Sequence, residues 1–386
     1  MKIVFKKDVI CTAVAPLMSG ISTKNAMPAT EGILIEASLP DNVTLTTYDL
    51  EKGVRLTIKA DIIEEGAVII NAGKFSSTVR AMDGGDITLI VDDSRMVATI
   101  ICGKSSHTMG ALSAKDFPEL PRLTSPNGFV VSQNTLKSMI AKCSFAMGVN
   151  DQRPVLNGLF MMIEGDKMTA VSCDSFKMAV CSTVAEMENI SAEGREMNFK
   201  FIIPNRSVGE LSKLLSGKED ETVRIYMSRK NIIFVTEEVT FFSRLIDGEY
   251  IDYNRIILRN HRITVEVDRE FFLSALERAA LITEEKVAGS VRSHVKLEVV
   301  EDLLKISATS NAGSAYDELM VNHFGESIVI AFNNRYLMDS LRASDAERVR
   351  LSLSSPLASM NIEPADDDRA ETESELFMLL PVRMKE

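Results

Sequence analysis

The chain has no tryptophan, and aromatic residues make up only 6% of its 386 positions, so large aromatic binding platforms are not expected. Histidine occurs four times, at His107, His261, His294 and His323, without paired spacing. The five cysteines, Cys11, Cys102, Cys143, Cys173 and Cys181, include no C-x-x-C pair. This pattern offers no zinc motif and points to reduced thiols in a cytoplasmic protein, behaving as small apolar side chains. No apolar run is long enough for a membrane helix, and Asp8 and Pro16 interrupt any signal-peptide reading of the N-terminus. Gly103-Lys104-Ser105 ends like a phosphate-binding loop, but the glycine required five positions earlier is Ala98. Ser175 lies in C-D-S-F rather than a nucleophile elbow, and Asp366-Asp367-Asp368 are consecutive on an acidic run that reads as a solvated loop. Neither a catalytic site nor a metal or cofactor is expected.

What is present is ordinary soluble composition, 45% apolar and 25% charged, in a chain long enough for two or three domains. The formal charge of −12 argues against a protein that simply coats nucleic acid, though not against a local basic surface.

The organising feature is a threefold internal repeat. Ile10, Ala13, Val14 and Leu17 recur at helical spacing as Leu136, Met139, Ile140 and Cys143, and again as Phe272, Ala275, Leu276 and Ala279. Each helix is followed by two strand-like runs around a polar or glycine-containing turn, clearest in Arg153–Val180. A short strand and a second helix follow, aligned on Phe75, Val208 and Leu337, and two or three strands close each copy. Units of this size form tandem α+β domains rather than a solenoid. The expected boundaries are 1–124, 125–256 and 257–386.

One charge pattern stands out. Five positions beyond Phe75, Val208 and Leu337 stand Arg80, Lys213 and Arg342, a basic column in three acidic-protein repeats. The first helices add Lys137, Lys142, Arg269 and Arg278. Such a surface, lacking base-reading side chains, would neutralise phosphates without sequence preference.

Over its whole length the sequence resembles the bacterial sliding clamp family, the beta subunit of DNA polymerase III. The resemblance rests on MKIVFKKDV, LTTYDLE, ALSAKDFPELP, RPVLNGLFMMIEGDKMTAVSCDSFKMAV, SRLIDGEYIDYNRII, NNRYLMDSLRA and MLLPVRM, in that order. It implies three tandem clamp domains, with two chains joined head to tail in a ring, helices inside and sheets outside. Such a ring encircles double-stranded DNA and tethers the DNA polymerase III catalytic subunit, without catalysis of its own. A separate ATP-dependent clamp loader opens it.

The resemblance implies DNA contact at Lys24, Asn150 and Arg206, beside Arg80, Lys137, Lys142, Lys213, Arg278 and Arg342. It implies a groove for partner peptides walled by Leu156, Cys173, Ser175, Phe176, Lys177, Met178, Ile251, Arg255 and Ile256. Met378, Leu380, Pro381, Val382 and Arg383 complete that groove. The head-to-tail seam would join His107 and Met109 to Leu281 and Ile282. Several positions depart from the family pattern: C-D-S-F-K-M stands in place of T-D-G-H-R-L, and Ile251 in place of proline. These departures motivate an alternative, a clamp-fold paralogue that docks peptides but encircles DNA poorly.

Overall fold

A computed structural model describes residues 1–22, 27–193, 195–283, 286–287, 290–291, 294–365 and 372–384. Its helices are α1 (Lys7–Leu17), α2 (Ala72–Ala81), α3 (Gln133–Ser144), α4 (Asn205–Leu214), α5 (Tyr253–Ile256), α6 (Arg269–Thr283) and α7 (Asn334–Ala343). The three helical repeats predicted from spacing are α1, α3 and α6, and all twelve aligned apolar positions are buried. The second helices of the repeats are α2, α4 and α7, anchored by Phe75, Val208 and Leu337, none more than 1% exposed. Asparagine caps start two of them. Asn71 accepts the N–H of Lys74, and Asn333 accepts those of Arg335 and Tyr336, satisfying donors that a first helical turn leaves open.

The chain divides into two compact units. One comprises Met1–Gln133, Met187–Met197 and Lys213–Leu245. In it α1 and α2 pack together, and a 14-stranded sheet carries the hairpin Gly32–Ser38 and Asn42–Tyr48. The next strand, Lys52–Lys59, pairs on its far side with Thr240–Arg244, placing Phe241 opposite Val54 and Phe242 opposite Gly53. Gly53 is required there: a Cβ would sit 2.4 Å from the Phe242 ring and 2.4 Å from the Thr47 carbonyl oxygen.

The other unit comprises Asn134–Glu186, Asn198–Ser212 and Ile246–Glu386. Its 9-stranded sheet contains the hairpin Gly158–Glu164 and Lys167–Cys173, followed by Lys177–Val184. The last of these pairs with Ser374–Leu379, Met178 opposite Met378. A 4-stranded sheet holds the third hairpin, His294–Val300 and Leu303–Ser310, and ends at the strand Gly313–Met320. Strands of one sequence repeat therefore extend the sheet of another, so the compact units cut across the repeats. Among the described residues no helix is long and apolar enough to cross a membrane.

Candidate functional site

The groove inferred from the sequence is built around one turn. Between the strands Lys167–Cys173 and Lys177–Val184, Asp174 Oδ1 accepts the N–H groups of Phe176 and Lys177, each at 3.0 Å. This Asx turn places Ser175 in the left-handed region, at φ 79°, uncommon for a residue with a Cβ. Lys177 is buried, bonded to Asp174, and its ammonium lies 4.2 Å from the centre of the Tyr336 ring. The consequence is that Phe176 is turned outward, 59% exposed.

The C-terminal segment is strapped onto the same turn. Leu380 N–H donates to the Phe176 carbonyl at 2.9 Å, and Val382 N–H donates to the Ala331 carbonyl at 2.7 Å. Beneath lies a cluster of four buried residues, Leu156, Cys173, Met178 and Met378, with Ile251 packed against it. Burial pushes the Cys173 thiol above its ordinary pKa, so it serves here as a small apolar wall. Phe176, Ile256, Leu380 and Val382 leave apolar surface exposed above this floor. Ser175, Arg255 and Arg383 are exposed and Pro381 is partly so. Arg255 is held by Asp252 at 2.9 Å. The structure thus gathers the predicted groove residues into a buried apolar floor and an exposed rim carrying cations.

Four contributors were not evident from the sequence. Arg153 bonds both Asp151 and Ser175, latching the turn, and its hydrogen bond holds the Asp151 carboxyl below the usual range. Tyr250 stacks on Phe160 at 4.9 Å and, with Tyr253 and Ile257, packs against the floor. These residues come from loops and a four-residue helix, where no periodic signal marks a binding role.

The basic positions behave less uniformly. Arg80, Lys213 and Arg342 all occupy the last turn of their helices, where a cation also complements the helix dipole. Arg80, Lys213 and Arg206 are exposed, and Lys137 is partly exposed. Arg342 bonds Glu277 at 2.8 Å, and Arg278 bonds Asp317 at 2.7 Å. Lys142 departs furthest from the expectation of an open phosphate-facing cation. Its side chain is 13% exposed and its ammonium lies 2.5 Å from Glu375 and 2.9 Å from Asp345. Burial lowers its pKa, but the two acidic partners outweigh that and raise it above the ordinary lysine value. The sequence period aligned Lys142 with Arg278 but carried no information on which carboxylates would face them. Asn150 is exposed with φ 58°, and Lys24 lies outside the described residues. His107 and Met109 stand on the strand Ser105–Ser113, while Leu281, 83% exposed, and Ile282 end α6.

Three family models match the chain in succession: the N-terminal domain of the DNA polymerase III beta subunit over residues 1–121, its central domain over 130–252 and its C-terminal domain over 254–376. A Staphylococcus aureus protein named beta sliding clamp is 28% identical over 393 aligned positions, covering 99% of both chains. A putative DNA polymerase III beta subunit from Eubacterium rectale superposes with a TM-score of 0.89 at 27% identity, and the Pseudomonas aeruginosa subunit with 0.88 at 26%. Both structures cover 100% of each chain.

Proposed function

We infer the function from one premise: the chain belongs to the bacterial DNA polymerase III beta-subunit family, whose three domain models follow one another along it. It is a DNA sliding clamp, a processivity factor that tethers the replicative polymerase to double-stranded DNA. We propose three clamp domains, at 1–124, 125–256 and 257–386, in a non-catalytic cytoplasmic protein opened by an ATP-dependent clamp loader.

In this reading two chains join head to tail into a ring. The sheet edges support it. Among the described residues, the strand Gly313–Met320 ends its sheet, and the Ser105–Gly110 part of another strand pairs on one side only, with Val97–Cys102. Each offers unpaired backbone groups to a second chain. The groove below Phe176 receives a short peptide from the polymerase catalytic subunit, the clamp loader or other proteins carrying a clamp-binding motif. Its buried floor takes apolar anchors and the adjoining turn takes extended backbone. Arg80, Lys213 and Arg206 supply sequence-blind phosphate contacts.

The test is topological. The protein is loaded onto nicked circular DNA with clamp loader and ATP, and the circle is then linearised. A ring remains on the circle and runs off the cut ends. Retention that is indifferent to cutting refutes encirclement and leaves the docking-only alternative.

A further inference from the structure

The internal repeat places the same recess at two positions, and the chain has filled only one of them. In the second unit the recess is lined by Asn134, Thr135, Ser138, Met139 and Lys142 of α3. Residues 181–183 and 373–375 of two paired strands complete it. The corresponding residues of α1 are Asp8, Val9, Thr12, Ala13 and Pro16, and these line a recess in the first unit with residues 56–58 and 237–239. The five α1 positions match the five α3 positions one for one along the helical repeat.

The two recesses differ in contents. The α3 recess has a volume of 170 Å³, because Met139 and the Lys142–Glu375 ion pair occupy it. In the α1 recess Ala13 replaces Met139, Pro16 replaces Lys142 and Val239 takes the strand position of Glu375. All three are shorter, and the volume rises to 480 Å³. The floor is apolar: Ala13, Leu56 and Val239 are buried, and Val9 is 40% exposed. The rim is acidic, with Asp8, Glu237 and Glu238 exposed. Lys218 lies within electrostatic reach of Glu238 but makes its ion pair with Glu221 at 2.6 Å.

We propose that the α1 recess is a second docking site, taking a partner-protein segment that pairs a leucine- or methionine-sized apolar side chain with a lysine or arginine. The occupant follows from what the molecule itself places in the equivalent position, a methionine and a lysine, and from the acidic rim that such a cation complements. The apolar side chain enters the space left by Ala13 and Pro16, and the cation reaches the carboxylates at the mouth.

The experiment follows methyl resonances of the full-length protein, labelled at isoleucine, leucine and valine, during titration with N-acetyl-Leu-Lys-amide. Two control probes are N-acetyl-Leu-Glu-amide, with reversed charge, and N-acetyl-Ser-Lys-amide, with no apolar anchor. Saturable millimolar shifts at Val9, Leu56, Ile58 and Val239 are expected with the first probe alone. Glu237→Gln with Glu238→Gln weakens that binding by about tenfold. The double variant Ala13→Met, Pro16→Lys, which copies the filled recess, abolishes it while retaining the other methyl resonances. Should that variant fail to fold, the glutamine pair and the control probes decide the outcome alone. The proposal is overturned if no shifts saturate, if they fall elsewhere, if both control probes bind equally, or if the glutamine variant binds unchanged. Neither DNA nor clamp loader enters the measurement, so its failure leaves the clamp function untouched.

Discussion

Replacing Lys142 with methionine tests the claim that this lysine secures the fold rather than DNA. The Lys142–Glu375 separation of 2.5 Å corresponds to about 7 kcal/mol of gross attraction at an effective dielectric of about 20. Desolvation of both groups offsets much of this. Glu375 has a side-chain exposure of only 2%, so deleting the cation leaves a buried carboxylate without its lysine, typically a loss of about 3–5 kcal/mol. Ser344 still donates to Glu375 at 2.9 Å, which places the expectation near the lower end. Asp345, with 60% side-chain exposure, adds at most about 1 kcal/mol.

A second substitution supplies the sharper test. Adding Glu375→Gln to the Lys142 variant removes the buried charge that the lysine had balanced, and thermal melts of the double variant should recover much of the loss. A loss below about 1 kcal/mol, with no rescue by glutamine, refutes the buried-pair reasoning.

Charge reversal of Arg80, Lys213 and Arg342 together should shorten retention on circular DNA and lower the log–log salt slope by about one for each phosphate no longer neutralised, with peptide binding intact. Unchanged retention would mean these residues serve only their helix ends. Phe176→Ala should weaken binding of the polymerase's clamp-binding peptide about tenfold in fluorescence anisotropy. Its exposed side chain should leave the melting temperature nearly unchanged. Gly53→Ala should destabilise the first unit by about 2–3 kcal/mol in denaturant unfolding, because one of its two clashes is with backbone.

The fold was legible in the sequence where period and burial coincide. The helical columns at Ile10, Leu136 and Phe272 are buried, as the spacing requires. The groove was legible only through family resemblance, since its floor joins Leu156, Cys173 and Met378 from distant segments by sheet pairing. The ion-pair partners of individual cations were not legible at all. Lys142 and Arg80 look equivalent as letters, yet one is clamped between two carboxylates and the other stands exposed. Helical period specifies a face, whereas ion pairing depends on which strand arrives opposite that face.

Among the described residues, the turn after each hairpin differs in step with the pairing of the strand that follows it. Asp49 accepts the N–H groups of Glu51 and Lys52 and pairs with the Lys52 ammonium at 3.2 Å, with Leu50 at φ 77°. Asp174, Ser175 and Lys177 repeat that geometry. After each of these turns the next strand takes a partner on its far side, Thr240–Arg244 in one case and Ser374–Leu379 in the other. The third turn, Ser310–Gly313, has neither the aspartate nor the lysine; Ser310 accepts the Ala312 N–H at 3.0 Å instead. The strand it leads into, Gly313–Met320, lies at the end of its sheet with Tyr316 and Met320 exposed. An edge of this kind is a template for pairing. By the pattern of the other two repeats, the strand that would pair with it is one that closes a repeat, and in the first repeat that strand is Ser105–Ser113. The head-to-tail dimer proposed above would supply each of these two edges with a partner, and this pairing pattern is what supports that proposal beyond family membership.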